Sequence, residues 1–148
     1  YVKVKKHQSE ETEKILSSVS VFTRYLATVC SVRRREGVSE QPGDSPYIVI
    51  DAFNVPEEVR EDLVNWYEQE LADNLLRVEG WWRCLRLSVV SGEPEPWTDI
   101  IIHELASLEA LEAPERLESW KTSWAQRLRS QSCFQTSQTI LYKKFLDW

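Results

Sequence analysis

The sequence predicts an α+β fold, with residues 47–148 ordered as strand, helix, strand, strand, helix, strand. β-Branched and aromatic runs of period two alternate there with stretches whose apolar residues recur every three or four positions. A stretch holding Gly37, Pro42, Gly43 and Pro46 separates this unit from what precedes it. At 148 residues the chain has the size of one domain, long enough to bury a sizeable core.

Ahead of that break, Tyr1 to Lys5 alternates as a short edge strand whose lysines would blunt the edge. Ser9, with Glu10 and Glu11 behind it, opens a short helix toward Val19. Residues 21–35, with Tyr25, Val29 and Val32, read as a long strand. The best single cut falls near Asp44, giving an N-terminal strand-helix-strand segment (residues 1–44) and a main domain (residues 45–148). The chain holds no Met and opens inside a strand-like run, so further residues are expected upstream.

In the main domain, Tyr47 to Phe53 is nearly continuous in apolar residues, as for a strand buried on both faces. Asn54 is a candidate cap, Pro56 suits a first turn, and Glu57 and Glu58 favour a helix N-terminus. The helix runs to about Val78, with Val59, Leu63, Trp66 and Glu70 on one stripe and Tyr67, Leu71, Leu75 and Val78 on the next. Gly80 ends it. Trp81 to Val90 alternates, with Trp82, Cys84 and Arg86 on one face and Trp81, Arg83, Leu85 and Leu87 on the other. From Trp97 to Leu105, Ile101, His103 and Leu105 share a face. Ser107 caps a last helical region, interrupted by Pro114, with Leu117, Trp120, Trp124 and Leu128 at helical spacing. A closing strand runs from about Thr139 to Phe145.

Composition excludes several classes of function. A net charge of −6 argues against nucleic acid as the main partner, because duplex binding is led by phosphate neutralisation. No apolar run approaches membrane-spanning length and no charged-then-apolar leader is legible, so a cytoplasmic protein away from the membrane is expected. Cys30, Cys84 and Cys133 are odd in number and widely spaced, which indicates neither a disulfide framework nor a zinc site. A phosphate-cradling loop, a nucleophile elbow and metal-ligand spacings are all missing, so neither metal nor cofactor is expected.

Four side chains are candidates for chemistry. His103, on a central strand, can give or take a proton in a dry cleft, or else is a buried histidine satisfied by hydrogen bonds at a strand end. Arg86 can hold a carbonyl or carboxylate in a fixed fork, or else pair with an acidic helix residue. Tyr67 and Glu70, three apart on one helix, can meet, and Glu70 shares the apolar stripe of Trp66. Seven tryptophans are many for this length. Trp66, Trp82, Trp120 and Trp124, with Tyr142, are candidates to line a pocket for a flat or polycyclic ligand, although core packing accounts for most tryptophans.

With those residues in place, residues 47–148 resemble a dimeric α+β-barrel domain of the EthD-like kind, a ferredoxin-like fold. Trp66-Tyr67 with Glu70 is similar to that family's helix pattern, Gly80-Trp81 with Arg83 and Arg86 to its strand opening, and Ile100 to Glu104 to its aliphatic strand. The family's helix histidine falls at Leu71, so chemistry resting on that imidazole is absent and Leu71 would line the cleft instead. Some fungal relatives carry two such units, which would make residues 1–44 a partial first repeat. The resemblance implies a homodimer packed sheet to sheet around a hydrophobic small-molecule substrate. The expected function is a cofactor-independent cyclase or lyase, pericyclic or aldol-type, acting on a carbonyl-bearing natural-product intermediate. Alternatives are a non-catalytic binding or scaffold dimer and, more remotely, a haem- or flavin-assisted monooxygenase.

Overall fold

A computed structural model describes residues 24–39, 41, 43–93 and 97–144. The edge strand expected at residues 1–5 and the helix expected at 9–19 lie outside the described residues. Five antiparallel strands form one sheet: β1 (Arg24–Arg34), β2 (Tyr47–Phe53), β3 (Trp81–Glu93), β4 (Asp99–Leu105) and β5 (Gln138–Lys143), in the order β1-β3-β4-β2-β5. Strands β5, β2, β4 and β3 with the intervening helices make the ferredoxin-like unit, an α+β fold. β1 pairs along the free edge of β3 and widens the same sheet.

Between β2 and β3 run helix α1 (Glu57–Trp66), a π-helical segment (Tyr67–Leu71) and α2 (Ala72–Leu76). In the wide π turn, Ala72 N–H reaches back five residues to the Tyr67 carbonyl. That turn re-phases the helix, so Trp66 and Tyr67, then Leu71, Ala72 and Leu75, all point at the sheet. The expected helix is thus present, with its apolar stripes buried except at Val59 and Glu70, which are half-buried. Its N-cap is Pro56 with no side-chain cap, and Asn54 is exposed.

After β4 the expected amphipathic helix is broken into pieces: a 3-10 turn (Leu108–Glu112), α3 (Pro114–Ser119), α4 (Ser123–Arg129) and α5 (Ser132–Gln135). Thr122 supplies the side-chain cap of α4, accepting from Ala125 N–H at 3.1 Å, whereas Ser107 makes no side-chain cap bond. Among the described residues, no helix is long and apolar enough to cross a membrane.

Register sorts the sheet residues. One row on the helix-covered face reads Arg33, Cys84, His103, Val49, Leu141, and the next reads Ser31, Arg86, Ile101, Asp51, Thr139. The opposite face carries the row Val32, Leu85, Ile102, Ile50, Ile140, crossing all five strands without a polar side chain. A register shift between Trp81 and Arg83 corrects the alternation expected for β3. The extra residue of this bulge sends Trp81 into the helix-side core with Cys84 and leaves Trp82 half-buried elsewhere.

Ser39 and residues 43–45, from the Gly- and Pro-containing stretch, lie against one end of the open sheet face. There Arg83, fully buried, donates to the Ser39 carbonyl (2.6 Å), to Asp44 (2.6 Å) and to Glu104 (3.3 Å). Glu104, 2% exposed, also accepts from Gly43 N–H and Ser45 Oγ. This buried pair is hydrogen-bonded on both sides, the condition under which burying charge is tolerable.

Candidate active site

Between the helix-covered face of β2, β4 and β5 and the short helices α3 to α5 lies a half-open cleft of about 920 Å3. Asp51 and His103 are its polar floor; Trp81, Trp120 and Phe134 are aromatic walls. The walls are braced from behind. Trp66 packs against Trp120 at 5.6 Å and Phe134 at 5.9 Å between ring centroids, and Phe53 meets Phe134 at 5.0 Å. Arg116, Lys121 and Arg129 also line the cleft.

Strand register builds the floor. Asp51 pairs with Ile101 on β4, so its side chain lies diagonally beside that of His103, two residues along. His103 Nε2 and Asp51 Oδ2 are 3.1 Å apart, and Thr139 Oγ1 on β5 donates to Asp51 Oδ1 at 2.6 Å. On the other side, Cys84 lies directly across from His103, with its Sγ 3.7 Å from Nδ1. Trp81 stands edge-on to the imidazole at 5.0 Å. Each nitrogen of His103 therefore has a partner, and Asp51 fixes the ring's orientation.

Burial opposes the charged imidazolium of His103, but the bonds to Asp51 and Cys84 outweigh it and raise its pKa from 6.5 to about 9. Burial likewise opposes an ionised Asp51. The His103 bond and charge, with help from Thr139 and Arg116, overcome it and hold the carboxyl below its usual range. At neutral pH the floor is an imidazolium–carboxylate pair.

The candidates read from the sequence do not all gather here. His103 and Trp120 line the cleft. Trp66 and Leu71 are buried behind it, the first as a brace and the second in the core. Tyr67 is buried with no hydrogen-bond partner for its hydroxyl among the described residues, and burial pushes its pKa well above 10. Glu70 is half-buried, one of its carboxylate oxygens equally without a partner. Arg86 turns to the helix and meets Glu68 Oε1 at 3.4 Å, outside the cleft. Trp124 donates from Nε1 to Asp62 at 2.9 Å, Trp82 lines a separate groove with Arg35 and Arg77, and Tyr142 is 52% exposed opposite Ile48 on the other sheet face. None of these three reaches the cleft.

Sequence reasoning missed Asp51, Trp81, Arg116 and Phe134. Asp51 left one signal, a lone carboxylate inside the apolar run Ile50-Asp51-Ala52. Trp81 was hidden by the bulge.

No protein-family model matches the chain, and no curated protein sequence does. Solved structures do. An anthrone oxidase-like protein superposes with a TM-score of 0.62 at 14% identity, over 95% of this chain and 65% of its own. The fold is therefore that of an α+β barrel. A "Putative monooxygenase" from Fusobacterium nucleatum gives a TM-score of 0.53 at 10% identity, over 97% of this chain and 69% of its own. The chain thus spans about two thirds of the length of each of these neighbours.

Proposed function

We propose that this chain is a cofactor-independent enzyme that confines a flat, hydrophobic, carbonyl-bearing molecule in the cleft and moves a proton at a carbon acidified by that carbonyl. The observation behind this reading is the Asp51–His103 pair, the sole acid and imidazole among the described residues lining the cleft, set between aromatic walls. Asp51, whose side chain is 18% exposed against 5% for His103, takes the proton. His103, charged at neutral pH, stabilises the negative charge that develops on the substrate oxygen and shares its own proton with Asp51 through Nε2.

General-base help of this kind contributes roughly 10²–10⁴ in rate. Confinement adds up to roughly 7–11 kcal/mol for a flexible substrate in favourable intramolecular cases. An aspartate held low is a weak base, which limits the reaction to carbon acids already activated by flanking rings. When the resulting carbanion attacks a second carbonyl of the same molecule a ring closes, that C=O π bond opening to an alkoxide that takes the proton back from Asp51. That is the cyclase or lyase chemistry expected from the sequence, and it needs no imidazole at Leu71.

A second reading is favoured by the neighbour named anthrone oxidase-like. Anthrone carries a methylene acidified through two rings by a carbonyl. Loss of its proton and transfer of its electrons to dioxygen turn that methylene into a second carbonyl, the other oxygen atom leaving as water. Both readings share the first step, so hydrogen–deuterium exchange at the methylene of anthrone under argon tests them together. Exchange faster than in buffer, lost in Asp51→Asn, supports the shared step. Exchange at the buffer rate, for anthrone and for other aryl ketones, sinks it. Admitting air then separates the two: quinone absorbance and oxygen uptake mark the oxidase, an oxygen-independent product the cyclase.

The same reading pairs two copies through the open sheet face, whose apolar row includes Val32 at 47% and Ile140 at 37% exposure. Light scattering on the purified chain checks this. A dimer that Ile102→Lys converts to monomer supports the pairing, and a wild-type monomer refutes it.

A further inference from the structure

The cleft is charged against the trend of the molecule. The chain carries a net −6, yet the cleft is lined by Arg116, Lys121 and Arg129 beside the His103 imidazolium, with Asp51 as the one acid among the described residues lining it. Lys121 is partly answered by Glu118 at 2.9 Å. The two arginines are not: neither has a carboxylate within salt-bridge distance among the described residues. Arg116 spends one guanidinium nitrogen on the Leu111 carbonyl, at 3.2 Å, and its field reaches Asp51. Arg129 lies over the Trp120 ring, 5.4 Å from its centroid, so its planar head is placed against one aromatic wall without being neutralised.

Resting on the cleft as the binding site described above, we infer that its ligand is an aromatic acid: a flat ring system bearing a carboxylate that Arg116 and Arg129 receive while the rings lie against Trp120 and Phe134. The carboxylate goes to the arginines and not onto Asp51, where it would meet a like charge. A guanidinium offers the paired donors that a carboxylate accepts in a fork, which fixes the ligand's orientation as well as its affinity. The end remote from the carboxylate is then the end delivered to Asp51 and His103. The arginines act as specificity residues, deciding which end of the ligand reacts.

Anthracene-2-carboxylate and its uncharged isostere anthracene-2-carboxamide test this, with binding followed by quenching of tryptophan fluorescence at low and at roughly physiological salt. The carboxylate should bind at least about tenfold more tightly at low salt, with the margin shrinking as salt rises. Arg129→Gln, and separately Arg116→Gln, should remove most of that margin, weakening the carboxylate far more than the carboxamide. Arg129 is exposed, so its replacement keeps the test clear of folding effects even where loss of the Arg116–Leu111 bond disturbs α3. Equal affinity for the two probes, or a preference untouched by both variants, overturns the inference and leaves the cleft standing. Failure of both probes to bind below about 1 mM overturns the cleft as a binding site, and the inference with it.

Discussion

Replacing Asp51 by asparagine isolates the electrostatics of the cleft floor. In the wild-type protein the buried imidazole of His103 has a pKa of about 9, against 6.5 for an ordinary histidine. At 1.36 kcal/mol per pH unit, that difference is worth about 3 kcal/mol of folding stability. The folded-state value is the higher one, so this contribution is fully present below pH 6.5 and fades as pH rises through 9. The substituted amide keeps the shape and an acceptor for Nε2 but removes the charge. Burial then dominates, and the imidazole should titrate below 6.5.

The assay is a pair of titrations. NMR of the imidazole carbons reads the pKa directly, and with two histidines in the chain a His7→Gln variant assigns the signals. Urea unfolding followed by tryptophan fluorescence, at a series of pH values from about 6 to about 10, reads the stability. The wild-type protein should lose about 3 kcal/mol across that range through this group, and Asp51→Asn should lose little. A wild-type His103 titrating near 6.5, or identical pH profiles for the two proteins, would refute the account of the floor as an ion pair.

Other substitutions probe what holds the site in place. Glu104→Ala leaves Arg83 buried with only the half-exposed Asp44 as counter-charge, and should cost about 3–5 kcal/mol in urea unfolding. The double change Arg83→Met with Glu104→Leu should recover most of that loss. Trp66→Ala removes the brace behind Trp120 and Phe134, and should cost about 3–5 kcal/mol while weakening ligand quenching, because the cleft wall collapses inward. Gly92→Val drives a side chain into the Tyr25 ring, which lies over Gly92 across the β1–β3 ladder. Amide exchange in β1 should then accelerate selectively, while β2 and β4 stay protected.

Much of the fold was legible in the residues, because secondary structure follows short-range patterns. The apolar run from Tyr47, the two helix stripes through Trp66 and Tyr67 and the break at Gly80 all stand where local propensity and periodicity put them. The last helical region was less so. Pro114 marked one interruption, but the apolar spacing does not reveal that the turn near Lys121 and the Thr122 cap divide the rest into short pieces curving around a cleft.

The candidate site divides along the same line. His103 was visible as a histidine on an apolar strand, and Trp120 as part of an aromatic stripe. Asp51 and Cys84 became its partners only through strand register, which sets residues 52 and 19 positions away beside one imidazole. Arg86 and Tyr67 kept their places on strand and helix, yet Arg86 turns to Glu68, Tyr67 is buried in the core, and neither lines the cleft. The one-residue bulge at Trp81 exchanged which of two adjacent tryptophans looks at His103. Sequence by itself determined which segments are strands and helices and which of their faces are apolar, since those depend on neighbours a few residues apart. Tertiary structure alone decided which polar groups meet, because a hydrogen bond depends on register and bulges, and a shift of one residue moves a side chain to the opposite face.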